Sequence, residues 1–374
     1  MYKILPIILS VLFSSNVFAK LVQYEFDINT KTVNFSGKVV QALAVGNSIP
    51  APTIEANIGD VLKVTFHNKM DVTSSIHWHG ILLPNDQDGM PFMTTQPIMP
   101  HSSFTFEYPI SQHGTYWYHS HTGLQEQRGI YGALVFHPKK ELYKANKDRV
   151  VVISDWTNES PSNVLRNLKR EDDYYALKKD SVQSWNKVIK NGIQSIKNRI
   201  NGSLTRMGPM DISDVAYDAF LTNGHTSSKL NGVKNGETVR LRIINASASS
   251  YQYVEFSGGK MTIIAADGGD VQPKKVDRLK IAVAETYDVL VNIPSNNKSY
   301  EFRATSEDAS GFSSLWLGDG NKVNAKTIEK PNLFLVDHSS HDMKDMNHSA
   351  HMKISNISVM NEYDGLRSVK NTSF

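Results

Sequence analysis

His-Trp-His-Gly at residues 77–80 and Trp-Tyr-His-Ser-His at residues 117–121 are the most informative stretches of this chain. Each contains a His-x-His pair. In a β-strand the side chains of residues i and i+2 point to the same face, so each pair directs two imidazoles the same way. Imidazole suits copper, zinc, iron and nickel. If the two strands are neighbours, a metal site is predicted from four converging imidazoles, those of His77, His79, His119 and His121.

Short runs of alternating apolar and polar residues surround both motifs. Residues 61–66, 104–108 and 132–136 are examples, and β-branched and aromatic residues are frequent in them. Such alternation is typical of half-buried β-strands. Because many short strands follow one another at regular spacing, residues 21–138 are predicted to form a β-sandwich or barrel.

A second stretch of strand patterning runs from residue 219 to about residue 317 and predicts a second all-β unit. Between the two, residues 160–205 carry apolar side chains at helical spacing, which indicates one or two amphipathic helices. Pro161 is typical of the first turn of such a helix. The predicted domains are residues 20–140 and residues 148–318, with the helical insert in the second.

The composition is that of an ordinary globular protein. Hydrophobic residues make up 40% of the 374 residues and charged residues 21%, which is enough to form a core. The formal net charge of +3 is too small to indicate nucleic acid as a partner. The sequence contains no cysteine, so these residues offer neither disulfides nor thiolate metal ligands.

The first 19 residues have the pattern of an export signal. Lys3 provides a positive charge, residues 4–13 are apolar, and the small residues near position 19 fit cleavage after Ala19. A transmembrane anchor is less favoured, because the apolar run is well short of ~20 residues. No later segment is long and apolar enough to span a bilayer, so export to the periplasm is predicted.

Longer motifs around the histidine pairs carry a resemblance to a known family. They are Asp-Gly at residues 88–89, Gly-Thr-Tyr-Trp-Tyr-His-Ser-His at 114–121, Leu-Thr-Asn-Gly at 221–224 and Arg-Leu-Arg-Ile-Ile-Asn-Ala-Ser at 240–247. With these motifs the chain resembles the multicopper oxidases. Residues 206–215 and the helical insert are most similar to the copper-resistance protein A branch of that family.

The resemblance implies a fold and a cofactor. Members of the family consist of tandem cupredoxin (plastocyanin-like) Greek-key sandwiches, so we expect an all-β chain with two such domains and a helical insertion in the second. The implied cofactor is copper. His77 matches a type 2 ligand, and the three type 3 ligands are matched by His79, His119 and His121. Asp88 matches an acidic position linked to proton delivery, with an exposed turn aspartate as the alternative interpretation.

Half of the family's copper cluster is expected to be missing from these residues. The family cluster uses eight histidines, of which four lie in a third domain together with the type 1 copper and its His-Cys-His motif. This sequence contains no cysteine, and no such domain is expected before Phe374. We therefore expect four ligands of a trinuclear cluster and no type 1 site.

A further group of ligands lies in the polar tail at residues 336–374, which is predicted to be a linker. Thioether sulfur selects Cu(I), while imidazole binds Cu(II) as well; an ordinary polar linker is the alternative. Met90, Met93 and Met99 are predicted to fill gaps in the core. The accessory copper ligands predicted in the tail are His338, His341, Met343, Met346, His348, His351 and Met352.

Three functions remain open from the sequence. The first is part of a periplasmic copper oxidase of copper resistance, with its third cupredoxin domain encoded separately. Such an enzyme oxidises Cu(I) or small reductants and reduces O2 to water. The second is a protein that binds or sequesters copper without turnover, and the third is an inactive truncated remnant. In each case copper ions are the predicted partner, and neither nucleic acid nor a membrane span is expected.

Overall fold

The computed structural model describes residues 19–170, 174–179, 185–204, 215–329, 359–360 and 366. Within them the chain consists mostly of β-strands, with a group of short helices between the ninth and tenth strands. The predicted all-β class with a helical insertion is therefore confirmed. Among the helices of these residues, none has the length and apolar character needed to cross a bilayer.

Both histidine motifs lie in a first unit. Its strands are β1 (Leu21–Val33), β2 (Val40–Val45), β3 (Ala51–Asn57), β4 (Val61–Asn68), β5 (His77–His79), β6 (Ser103–Pro109), β7 (Gly114–His119) and β8 (Tyr131–His137). They form two sheets with the strand orders β2-β1-β4-β6 and β3-β8-β7-β5. Apolar side chains that alternate along these strands fill one core, whose largest members include Phe66, Trp78, Phe106, Tyr118 and Phe136.

The second unit is larger and is again built from two sheets. Its strands are β9 (Lys147–Trp156), β10 (Ala219–Thr222), β11 (Ser227–Lys229), β12 (Thr238–Asn245), β13 (Gln252–Phe256), β14 (Met261–Ala266), β15 (Gly269–Val276), β16 (Arg278–Ile281), β17 (Thr286–Asn292), β18 (Lys298–Ser306), β19 (Phe312–Leu317), β20 (Asn321–Val323) and β21 (Val359–Met360). One sheet has the order β10-β9-β12-β17-β14-β15. The other has the order β11-β19-β18-β13-β16-β21, with β20 paired to β18.

The helical insert follows β9. The described residues of the insert contain four α-helices, so the prediction of one or two was wrong in number: α1 (Pro161–Leu168), α2 (Tyr174–Lys178), α3 (Trp185–Lys190) and α4 (Ile193–Leu204). The first helix begins as predicted, with Pro161 in its first turn and the Ser160 hydroxyl accepting a hydrogen bond from the backbone N–H of Asn163. Between α3 and α4, Gly192 adopts a φ of +89°, a left-handed conformation that ends a helix.

An apolar cluster joins the two units. Trp117 and Tyr131 of the first unit belong to the same buried cluster as Trp156, Leu221 and Ile244 of the second. Trp117 lies within the second histidine motif. The joint between the units therefore lies directly against the strand that carries half of the predicted site.

A buried ionic network crosses the same joint. Asp288 is fully buried and Arg242 is 1% exposed. The Thr115 hydroxyl donates to one Asp288 oxygen at 2.6 Å, and Arg240 Nε and Arg242 Nη1 donate to the other at 3.1 and 3.2 Å. Buried charges are tolerated when they are paired and hydrogen-bonded. Through Thr115, the second unit holds the start of β7, the strand that leads to His119.

Replacing Asp288 with alanine should lower the free energy of unfolding by about 3–5 kcal/mol, because Arg240 and Arg242 would lose their shared buried counterion. Chemical denaturation followed by circular dichroism measures this loss. The matched control is Glu107→Ala, which removes an ion pair of 2.8 Å between half-exposed side chains with Lys63 and should cost less than about 1 kcal/mol. Equally small losses in both variants would contradict the role given to the network.

Candidate metal centre

The two histidine motifs lie on neighbouring antiparallel strands. In the pairing of β5 with β7, His77 lies opposite His119, and His79 lies opposite Trp117. Trp78, which separates the two histidines of β5, is fully buried in the core of the first unit. Successive side chains of a strand point to opposite faces. The strand alternation therefore places the aromatic core on one face and the imidazoles on the other.

All four predicted imidazoles converge on that face. The ring centroids of His77, His119 and His121 lie 5.6, 5.0 and 4.8 Å apart. One ring nitrogen from each of these three residues lies within 4.8 Å of the others, a spacing that allows a shared metal ion. His79 joins the group through its Nδ1, which is 3.3 Å from Nε2 of His119.

The loop after β5 orients His77. The Nδ1–H group of His77 donates to the backbone oxygen of Asp88 at 2.8 Å. The loop approaches this closely at Gly89, where φ is +86° and a Cβ would lie 1.7 Å from the carbonyl oxygen of Ile76. Since Nδ1 carries the proton of this hydrogen bond, Nε2 is the nitrogen left to bind a metal.

His119 is held by a carboxylate and an indole. Its Nδ1–H donates to Glu126 at 2.8 Å, and its ring stacks on Trp117 with centroids 4.0 Å apart and an interplanar angle of 11°. A carboxylate on the far nitrogen fixes the tautomer and orientation of a ligating histidine and raises its basicity. The His119 side chain is nearly fully buried, so this arrangement is well shielded from water.

Sequence reasoning missed the role of Glu126. The residue lies in Gly-Leu-Gln-Glu-Gln at residues 123–127, directly after the second histidine motif, and nothing in that spelling indicates a histidine partner. The signal appears only in the fold, where a turn of 3-10 helix at Glu126–Arg128 brings the carboxylate back to His119.

Desolvation favours the neutral form of three of the four histidines. Desolvation is the main cause that lowers the pKa of His77 and His121, and it lowers the pKa of His79 to about 4. The nearby His119 adds to the lowering in all three cases, since neighbouring imidazolium ions repel one another. The neutral imidazole is the form that binds metals, and the all-nitrogen donor set fits copper.

Asp88 lies beside the group, as the sequence implied. One of its carboxylate oxygens is 3.4 Å from Nδ1 of His77, and the other accepts a hydrogen bond from the Thr94 hydroxyl at 3.2 Å. The side chain is 25% exposed, so it reaches both the imidazole and solvent. Its role in proton delivery stays a prediction.

Two methionines in the loop after Asp88 are exposed, contrary to the prediction that they lie in the core. Met93 is 81% exposed and Met99 is 54% exposed, so the prediction that they fill gaps in the core was wrong for both, while Met90 is half-buried. Met93 lies in an irregular loop between β5 and β6, outside the strands whose alternation forms the core. The neighbouring Phe92 is also 81% exposed and has a φ of +65°.

Two predicted features lie outside the described residues. They are the body of the export signal at residues 1–18 and the accessory copper ligands between His338 and Met352. The four histidines of the strands are therefore the part of the predicted ligand set whose geometry the structure provides.

Two family models, both described as multicopper oxidase, match this chain at residues 27–141 and 147–318. The chain belongs to the multicopper oxidase family, as the motifs indicated. The solved laccase from Botrytis aclada has the same fold, with a TM-score of 0.63 at 23% identity over 84% of this chain and 56% of that one. This similarity confirms the cupredoxin-type architecture.

Curated relatives at higher identity bear the name copper resistance protein A. The protein from Escherichia coli is 36% identical over 357 residues, which is 92% of this chain and 59% of the relative. One from Pseudomonas syringae pv. tomato is 38% identical over 297 residues, which is 78% of this chain and 48% of the relative. The chain thus spans about half to three-fifths of the length of these relatives.

The metal-free protein should lose stability as the pH falls from about 6.5 towards 4. Unfolded histidines have a pKa of about 6.5, whereas the folded pKa of His79 is about 4. Across this window the unfolded state binds more protons, so stability rises with pH and is complete above it. Thermal melting as a function of pH measures the effect.

Two variants make that measurement specific. His79→Gln should flatten the pH dependence, because a titrating half-buried imidazole is removed. His101→Gln, at a side chain 64% exposed, should leave it unchanged. A melting temperature of the unaltered protein that stays constant across the window would contradict the buried neutral state.

Glu126→Ala should weaken copper(II) binding by about 10–100-fold, the usual effect of losing a carboxylate that orients a ligating histidine. Competition against a chelator of known affinity measures this change. Glu107→Ala, which alters an exposed carboxylate on β6, is the control and should bind copper like the unaltered protein. Unchanged affinity in Glu126→Ala would show that His119 needs no such support.

Proposed function

We propose that this chain is a periplasmic copper-binding protein of the multicopper oxidase type that serves copper resistance. The reaction assigned to the complete assembly is the oxidation of Cu(I) or small reductants, with O2 reduced to water. The observation that carries the proposal is the convergence of His77, His79, His119 and His121 on one strand face. The relatives named copper resistance protein A support the physiological role.

The histidines are assigned individually. His77 is the type 2 copper ligand, and the type 3 ligands are His79, His119 and His121. Copper bound at these positions would supply the redox chemistry through which O2 accepts electrons. The chain itself orients the imidazoles, through Asp88 at His77 and Glu126 at His119, and desolvation lowers the pKa of His77, His79 and His121 towards the neutral, metal-binding form.

Asp88 is proposed to move protons at this site. Its carboxylate lies 3.4 Å from Nδ1 of His77, the nitrogen on the far side of the ring from the proposed metal, and its partial exposure allows proton exchange with water. The hydrogen bond from Thr94 holds the carboxylate in place. A carboxylate beside a site of oxygen reduction can serve as a general acid, because that reaction consumes protons.

A separate cupredoxin-type partner is proposed to complete the cluster. These residues contain no cysteine, so a thiolate for a type 1 copper has to come from outside them, and we assign it to a separately encoded C-terminal cupredoxin domain. Large apolar side chains on the segments after β5 support such an interface: Leu82, Phe92 and Met93 are 77–81% exposed. Exposed apolar patches are often protein–protein contact surfaces.

The remaining assignments concern the ends of the chain. We propose that residues 1–19 direct export and are removed after Ala19, and that residues 20–140 and 148–318 are the two cupredoxin domains. The tail at residues 336–374 is proposed to collect copper. Its seven possible ligands combine soft thioethers with imidazoles, which suits both oxidation states of copper.

Copper binding without turnover is the second candidate. One observation favours it: His121 is exposed and the described ligand set consists of imidazoles alone. A half-site of this kind binds copper and leaves coordination positions open to water. The two candidates therefore differ in oxygen consumption and agree in metal content.

Copper titration of the full chain tests both candidates. The unaltered protein should bind copper with a nitrogen-ligand electron paramagnetic resonance signal and no blue thiolate band, since it has no cysteine. His77→Ala combined with His119→Ala should remove the strand-face copper. His101→Ala, at an exposed histidine, is the control. Unchanged copper content in the double variant would refute the site.

Oxygen uptake separates the candidates. With Cu(I) as electron donor, the chain alone should consume little oxygen, and addition of a cupredoxin domain with a type 1 site should raise the rate. If that domain binds and the rate does not rise, the non-catalytic candidate holds.

A further inference from the structure

A cavity lies between the two units on the side of the helical insert. It has a volume of about 230 Å³. Its walls come from the loop after the second histidine motif, the end of β9, helix α1 and two loops of the second unit. Its lining includes the side chains of Leu124, Arg128, Pro161, Val164, Leu168 and Tyr217.

The size and lining of the cavity suit a single-ring organic molecule. An apolar protein cavity of about 150 Å³ is large enough to hold benzene, so this one has room for a ring with one substituent. Most of the wall is apolar. Leu165 and Leu168 of α1 are 39% and 40% exposed and contribute apolar surface to it.

Arg128 is the cationic side chain in the lining of the cavity. Its Nη1 donates to the backbone oxygens of Thr157 and Glu159 at 3.2 and 3.3 Å, and its guanidinium lies 5.1 Å from the centre of the Trp156 ring. Within the described part of the chain, Nε and Nη2 have no acceptor and no carboxylate pairs with the guanidinium. Burial lowers the pKa of Arg128, as expected for a cation without a counterion.

Two carboxylates also line the cavity, and both are already engaged. Asp155 accepts hydrogen bonds from the backbone N–H groups of Ala248, Ser249 and Ser250. Glu159 accepts from Lys178 at 2.8 Å and from the Tyr175 hydroxyl at 3.2 Å. Glu159 therefore has Lys178 as its cationic partner and Asp155 is held by backbone N–H groups, so neither carboxylate takes up the remaining donors of Arg128.

We propose that this cavity binds a small organic monocarboxylate with a single-ring apolar body. The carboxylate pairs with the free Nε and Nη2 of Arg128, a planar fork that matches a carboxylate in two hydrogen bonds. The ring lies against α1 and Leu124. The site is separate from the histidine face, although Arg128 ends the same turn that carries Glu126, so the bound molecule contacts the segment that orients His119.

Isothermal titration of the full chain with benzoate tests the proposal. Benzoate should bind, while acetate, which lacks the ring, and benzyl alcohol, which lacks the charge, should each bind at least tenfold more weakly. Arg128→Gln should weaken benzoate at least tenfold, and Lys139→Gln, at an exposed lysine, should not. Repeating the titration with copper-loaded protein separates the cavity from the metal, because the Arg128 effect should persist.

A second variant keeps the test decisive if Arg128→Gln does not fold. Val164→Trp adds an indole inside the cavity and leaves Arg128 in place, so it should abolish benzoate binding while the circular dichroism spectrum is retained. Absence of benzoate binding in the unaltered chain would overturn the proposal. Binding that survives both variants, or benzyl alcohol binding as tightly as benzoate, would also overturn it.

Discussion

The antiparallel register of β5 and β7 is the constraint on which the rest of the site depends. With His77 opposite His119, the strand alternation sends Trp78 and Tyr118 into the core and the imidazoles to the other face. A shift of one residue would exchange the two faces and bury the histidines in place of the aromatic rings. The hydrophobic core of the first unit and the metal site are therefore specified by the same register.

Contacts with the second unit stabilise that register. Thr115 at the start of β7 is bonded to the buried Asp288, and Trp117 packs in the apolar cluster shared by the two units. The same Trp117 stacks on His119. Strand β7 is thus fixed by contacts on both sides of the joint. The second unit supplies none of the four site histidines, yet it contributes directly to the geometry of the site.

The sequence predicted the local parts of this arrangement well. Period-two alternation is a property of neighbouring residues, so the strands and the convergence of the two His-x-His pairs follow from it. Contacts between residues distant in sequence were not predictable: Thr115 meets Asp288 across 173 positions, and no local pattern records that pairing. Loop geometry was missed as well, which is why Glu126 was overlooked and Met93 was assigned to the core.

Partial desolvation of the imidazoles favours metal binding and lowers the stability of the metal-free fold. The pKa of His79 is about 4 in the folded chain, so this imidazole stays unprotonated at neutral pH. The backbone oxygen of Asp88 and the carboxylate of Glu126 accept from Nδ1–H of His77 and His119, so Nε2 of each of these two rings carries a lone pair without a proton. These lone pairs are available to a metal ion, and Nε2 of His119 also lies 3.3 Å from Nδ1 of His79. The fold therefore maintains an arrangement whose natural complement is a positively charged ion, and the proposed copper supplies it.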